Sequence, residues 1–413
     1  MTDTDLAVHP GRSGLDAGGR RRVLAVLCLT EITSWGILYY AFPVLSVSVS
    51  QQSGWSLPLI TAAFSIGQLA CAVTGIPVGR LLDRTGPRRV MTIGSAAAAA
   101  GLVVVATAPN PVVFAAGWVL SGAGMGAVLY PPAFAALTRW WGEDRVRALT
   151  MLTLAAGLAS TVFAPVTAVA DRHLDWRATY LLLAAILAAV TIPAHWFGLR
   201  GPWPHPPAPP HHDFTDHTAI TRSRGFTLLT LTLCLGAFVT FAGVFNLVAL
   251  LREQGLDPEL AALALGLGGA GQVAGRLGYS WLADRTSVTT RTVAVLAATA
   301  ATTALLGVGS GALVVISIAI GAGVVRGVFT LIQATVITDR WGATHYGRLN
   351  GLVSAPVVVV SALAPWAGTA LSAWTGSYAH TYLILAAVAV AAALTAAATS
   401  PPRPQPTIVK ERL

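Results

Sequence analysis

The sequence predicts an all-α membrane protein with twelve transmembrane helices in two pseudo-symmetric six-helix bundles. Three observations carry this. The chain is 54% hydrophobic and only 10% charged, with a mean hydropathy of +0.67, whereas soluble domains carry about 25% charged residues. Apolar runs recur with the ~20-residue length that crosses ~30 Å of hydrocarbon. Finally, patterns in the first half return in the second: Asp83-Arg84 as Asp284-Arg285, Thr138-Arg139-Trp140-Trp141-Gly142 as Thr338-Asp339-Arg340-Trp341-Gly342, Ala164-Pro165 as Ala364-Pro365, and Tyr180-Leu181-Leu182-Leu183 as Tyr382-Leu383-Ile384-Leu385. A repeat at nearly one offset, about 200 residues, signals a duplicated body.

In chain order, residues 1–22 form a polar N-terminal tail ending in Arg20-Arg21-Arg22, with no cleavable signal expected. The first bundle, 23–198, holds runs at 23–47, 57–79, 90–108, 112–138, 148–170 and 178–198. Pro43 is expected to bend the first run and Pro131-Pro132 to kink the fourth. A linker follows at 199–224, where Pro202-Trp203-Pro204-His205-Pro206-Pro207 and Pro209-Pro210-His211-His212 cannot continue a helix. Its His205, His211, His212, Asp213, Asp216 and His217 are read as solvated linker residues in preference to metal ligands. The second bundle, 225–399, holds runs at 225–250, 258–283, 292–309, 312–338, 348–371 and 379–399, before a tail at 400–413. The links Pro109-Asn110-Pro111 and Gly309-Ser310-Gly311 are very short. The glycine-rich runs Gly122–Gly126 and Gly266–Gly271 lack a following Lys-Ser/Thr pair, so they predict close helix packing and no nucleotide site. Cys28, Cys71 and Cys234 sit inside apolar runs as small core residues.

The arginines set the orientation. Arg20–Arg22, Arg80, Arg84, Arg88, Arg89, Arg139, Arg145, Arg147, Arg200, Arg285, Arg291, Arg340 and Arg348 fall on one side, against Arg172, Arg177 and Arg252 on the other. The positive-inside rule therefore puts both termini in the cytoplasm. The formal charge of +9 does not mark a nucleic-acid binder, since the arginines lie between apolar runs and form no basic face.

One loop is especially ordered. Gly79-Arg80-Leu81-Leu82-Asp83-Arg84-Thr85-Gly86-Pro87-Arg88-Arg89 joins the second and third runs. Its order G-x-L-x-D-R-x-G-x-R-R resembles the loop signature of the major facilitator superfamily at every position. Asp83 is expected to find its charge partners among the neighbouring arginines. The second copy is degraded, with Ser280 at the first glycine and Thr286-Ser287 in place of the turn. The resemblance implies a secondary transporter of the major facilitator fold. It also implies alternating access about a midplane site, with Gly79, Asp83, Arg84, Gly86, Arg88, Arg89, Asp284 and Arg285 controlling the conformational equilibrium.

Buried charge locates the chemistry. Glu31, Arg276 and Arg326 lie inside apolar runs, where ionisable residues are rare and functional by default. Counted from flanking charges at 1.5 Å per residue, their depths are roughly 14, 12 and 20 Å. Two cations and one anion suit an organic anion, with Glu31 as the proton carrier; the alternative is a packing ion pair between Glu31 and either arginine. Tyr39, Tyr40, Tyr130 and Asn246 are candidate hydrogen-bonding partners for substrate, and Gln68, Gln272 and Gln333 candidate bonds between helices. Ala274-Gly275-Arg276 followed by Asp284-Arg285 is similar to helix eight of the monocarboxylate and oxalate/formate transporters, where an arginine meets a carboxylate. The expectation is proton-coupled movement of a small monocarboxylate-like anion across the cytoplasmic membrane by a monomer. It needs no cofactor and no metal, and its partners are substrate, protons and lipid. The runner-up is a proton-driven exporter of drug-like compounds or secondary metabolites, although Ala164-Pro165-Val166-Thr167-Ala168 departs from the drug/proton antiporter pattern. An enzyme would need a cluster such as a His pair or Ser/His/Asp within the spans, and none is present in the sequence.

Overall fold

A computed structural model describes residues 15–203, 220–341 and 346–399. The linker histidines and acids from His205 to His217 lie outside the described residues, as do most of both tails. Among the described residues, twelve helices are long and apolar enough to cross a membrane. They are α1 (Ala17–Ser53), α2 (Leu57–Thr85), α3 (Pro87–Thr107), α4 (Pro111–Trp141), α5 (Arg147–His173), α6 (Trp176–Gly198), α7 (Arg224–Glu253), α8 (Pro258–Arg285), α9 (Val288–Val308), α10 (Ala312–Trp341), α11 (Leu349–Thr375) and α12 (Tyr378–Ala397). Several outrun the apolar segments that predict them. An apolar run measures only the hydrocarbon depth, while a helix continues into polar, arginine-bearing turns at no cost.

The ends are closed by local chemistry. Asn110 Oδ1 accepts from the amides of Val112 and Val113 at 3.1 and 3.0 Å, capping α4 immediately before Pro111. Asp175 and Asp257 cap α6 and α8 in the same way, at 2.7 and 2.9 Å. Glu253 at the end of α7 accepts from the amides of Tyr378 and Ala379, placing negative charge at the start of α12.

Small residues let the helices close on one another. A Cβ at Gly122 in α4 would lie 1.9 Å from the Gly67 carbonyl of α2. In the second half, a Cβ at Gly323 in α10 would meet the Gly268 carbonyl of α8 at the same separation. The glycine-rich runs are therefore contact seams. The halves meet through α2 against α11 and α5 against α8, with α1 against α7. An aromatic core of Phe42, Phe64 and Trp118 extends across this meeting to Phe245, whose ring centroid is 5.0 Å from that of Phe64.

Helix irregularities fall near the prolines. In α1 the distortion is a π-helical turn, Gly36–Tyr40, just before Pro43, with the Ala41 amide bonded to the Gly36 carbonyl. In α4 the helix breaks at Leu129, which is extended, and restarts at Tyr130 with proline in its first turn. A further break lies at Leu158 in α5, which no proline marks.

Gly122→Val is expected to lower the thermal stability of the detergent-solubilised protein by about 3 kcal/mol, the upper end for overpacking. Gly278→Ala, where a Cβ meets nothing within 4 Å, should be neutral or stabilising by up to about 1 kcal/mol. Melting curves of both variants against the parent check this pair.

Candidate functional site

Helical spacing aims a set of side chains at the gap between the halves. On α8, Gln272 and Arg276 stand four residues apart on one face. On α10, Arg326, Thr330 and Gln333 continue the same i, i+4, i+7 row. On α1, Trp35 and Tyr39 share a face, and the π turn brings Tyr40 beside them. The break at Leu129 starts a new helical segment with Tyr130 at its head. All of these residues, with Thr240, Phe241 and Val244 of α7 and Phe329 of α10, line one cavity of about 110 Å³. A second cavity of about 50 Å³, within the second half, shares Thr240, Val244 and Arg326 with the first.

The two arginines are held without being neutralised. Gln272 Oε1 accepts from Arg326 Nε at 3.1 Å. Arg276 Nη1 donates to the Thr153 carbonyl of α5, and Gly157, one turn further, leaves room for the guanidinium. Arg326 Nη2 and Arg276 Nε have no partner. Among the described residues no carboxylate pairs with either arginine. The packing ion pair considered above is therefore not formed.

The other sequence candidates divide. Tyr39 and Tyr130 line the cavity together with Arg276 and Arg326. Glu31 is fully buried four residues before Trp35, whose indole lies within reach of its carboxylate, and is not a lining residue. It lies within electrostatic reach of Tyr130, which also faces Arg276. Asn246 does not reach either cavity. It points instead toward α11, accepting from Thr369 Oγ1 at 2.8 Å and donating to the Ala242 carbonyl at 2.9 Å. Of the glutamines, Gln272 bonds between helices, Gln333 lines the cavity, and Gln68 reaches Met125 Sδ. Trp35, Phe241 and Phe329 are lining residues that polarity did not reveal. The spacing of Trp35 from Tyr39 is the signal that finds the first of them.

The signature loop has a different wiring from the one expected. Asp83 pairs with Arg139 at the end of α4, at 2.5 Å, and not with the loop arginines. Arg88 turns to α6, donating to the Trp196 carbonyl at 2.7 Å with its guanidinium 4.1 Å from the ring centroid. Arg84 and Arg89 are exposed. Gly86 ends α2 at φ +76, and the Trp203 ring lies over it. Trp203 also donates to the Asp83 carbonyl at 3.1 Å and stacks under Arg139. Gly79 is open on one side, with nothing within 4 Å of a would-be Cβ. In the second copy Asp284 is exposed, Arg285 folds onto Trp281, and the ion pair is Arg291 with Asp339.

Hydrogen bonds joining the halves gather between mid-depth and the side opposite residues 15 and 399. They include Thr161 Oγ1 to the Gly266 carbonyl at 2.8 Å and the Arg172–Glu259 ion pair at 2.7 Å.

Comparison with known proteins agrees with this architecture. Residues 26–336 match the family model of the Major Facilitator Superfamily. An uncharacterized MFS-type transporter, YcxA of Bacillus subtilis (strain 168), is 30% identical over 148 residues, a match spanning only 36% of either chain. Monocarboxylate transporter 13 of Rattus norvegicus is 24% identical over 385 residues, 89% of this chain and 84% of that one. The solved structure of a bacterial homolog to human lysosomal transporter Spinster, inward-facing and unoccupied, superposes with a TM-score of 0.73 at 14% identity, covering 93% of this chain and 97% of the other. That likeness speaks for the fold alone. With the family model matched across both halves, the chain belongs to the major facilitator superfamily, as a multi-pass membrane transporter and not an enzyme.

Proposed function

We propose that this transporter moves a small organic anion of the monocarboxylate kind across the cytoplasmic membrane by alternating access, coupled to protons. The observation that carries the reading is the pair of guanidiniums, Arg276 and Arg326, in one cavity with unpartnered N–H groups and no carboxylate beside them among the described residues. A buried cation without a counter-charge costs several kcal/mol. An arriving carboxylate offsets that cost through charge-assisted hydrogen bonds, for which guanidinium geometry is well matched. The likeness to a protein named monocarboxylate transporter 13 supports the same substrate class.

Alternating access follows from the asymmetry of the meeting between halves. Contacts are closed on the side opposite the termini, so this arrangement is the state open toward the arginine-rich side. Reversal breaks Arg172–Glu259 and brings the ends of α2 and α11 together. Gly79, Asp83, Arg84, Gly86, Arg88 and Arg89 at the end of α2 and the start of α3, with Asp284 and Arg285 in the second half, set the balance between states. Glu31 is the only fully buried acidic side chain among the described residues, and it is the proton carrier of this scheme.

Uptake of labelled monocarboxylates, from pyruvate to benzoate, into proteoliposomes under an imposed pH gradient tests the proposal. Accumulation is expected. Arg276→Ala and Arg326→Ala should each weaken carboxylate binding by about 2 kcal/mol or more, the cost of removing one partner of a buried charge pair. Retention of full affinity in both removes the proposed site. Glu31→Gln should abolish gradient-driven accumulation while leaving carboxylate exchange between loaded and external pools. Asn246→Ala should cost about 1 kcal/mol of stability, the size of a lost interhelical bond, with uptake intact. No accumulation of any carboxylate, together with protection of cells from toxic compounds, identifies an exporter instead.

A further inference from the structure

Both charges of the cavity come from the second half, and four of its six aromatic rings come from the first. Gln272, Arg276, Arg326, Thr330 and Gln333 all belong to the second half. The first half contributes a wall of rings: Trp35, Tyr39, Tyr40 and Tyr130. These rings touch in series, with centroids 4.9 Å apart for Tyr130 and Trp35, 5.0 Å for Trp35 and Tyr39, and 5.3 Å for Tyr39 and Tyr40. Trp35, Tyr40 and Tyr130 are only half-buried, so they present ring surface to the cavity. Aliphatic side chains contribute little to the lining, in the form of Ala156 and Val244.

We infer that the anion taken by this site carries an aromatic or planar conjugated ring, with its carboxylate on Arg276 and Arg326 and its ring against Trp35 and Tyr130. This rests on the anion reading above and narrows it. Two arguments support the narrowing. One lining brings the two guanidiniums and the rings of Trp35, Tyr39, Tyr40 and Tyr130 together. A two- or three-carbon acid reaches the guanidiniums and leaves the ring wall in contact with water. Ring faces and edges also carry complementary partial charges, so an aromatic ligand gains offset or edge-to-face contacts that a saturated one does not. A ring-bearing acid therefore touches both halves at once, whereas a short acid is held by one.

The test compares acids matched in charge and size on the purified full-length protein. Benzoate and cyclohexanecarboxylate serve as probes, with pyruvate as the short acid and benzyl alcohol as the neutral ring. Simple burial favours the cyclohexyl acid, which has more apolar surface, so a preference for benzoate isolates the ring contribution. Benzoate is expected to bind at least about fivefold more tightly than cyclohexanecarboxylate, within the range of an aromatic pair. Trp35→Leu and, independently, Tyr130→Leu should bring that ratio toward one. Equal affinities of the two ring-sized acids in the parent protein overturn the aromatic inference and leave the anion reading standing. Failure of every carboxylate to bind, or equal binding of benzyl alcohol, overturns the anion reading itself.

Discussion

Everything about this transporter's centre turns on keeping guanidinium charge inside a slab of low dielectric. The protein does so by partial satisfaction. Gln272 takes one N–H of Arg326, and the Thr153 carbonyl takes one of Arg276. Enough donors stay bound to fix the orientation of each guanidinium, and enough stay free to leave a demand for an anion. Full pairing with an internal carboxylate would be more stable and would remove that demand. Glu31, the acid closest to this role in the sequence, is enclosed behind the cavity wall and pairs with neither arginine.

The geometry that permits this depends on small residues and on broken helical regularity. Gly157 admits the Arg276 guanidinium against α5. Gly36 admits Phe163, whose ring would overlap any side chain there. That close approach lies at the start of the π turn, and the turn sets consecutive tyrosines toward the cavity. Hydrogen-bond regularity is given up at the positions where ring surface is presented, in α1 and again at Leu129 before Tyr130. Such interruptions are tolerated in a membrane helix when the backbone there is covered by protein.

Much of this was legible in the residues. Run lengths give the twelve helices, because hydrocarbon thickness leaves few other solutions. The loop from Gly79 to Arg89 gives the family, since its fixed order exceeds what charge bias produces. Depth counting puts Arg276 and Arg326 well inside the hydrocarbon, and the fold brings both to one cavity. It does not say whether Glu31 lines the cavity, because depth says nothing about azimuth, and Glu31 is not among the lining residues. Asn246 fails for the same reason, its amide being taken up by Thr369 on α11. The partner of Asp83 was not legible either: it comes from the end of α4, distant in sequence and brought close only by the fold. Trp35 was hidden because tryptophan is common in membrane spans and carries no charge to mark its depth.

The duplication explains the scaffold and not the site. Asp83–Arg139 in the first half has no counterpart between Asp284 and Arg340 in the second, where Arg340 bonds Thr289 and Thr399 and the ion pair is formed by Arg291 and Asp339. The first copy is instead overlaid by Trp203 from the start of the linker, which covers Gly86, Asp83 and Arg139 together. The same divergence governs the cavity: Arg276 and Arg326 both belong to the second half, while Trp35, Tyr39, Tyr40 and Tyr130 belong to the first. Two halves that present different chemistry to a shared gap bind a ligand bearing both chemistries only when they approach each other. A ligand of that kind favours the closed arrangement by its differential affinity for it. In the proposed alternating-access cycle, that gives the two bundles a reason to rock.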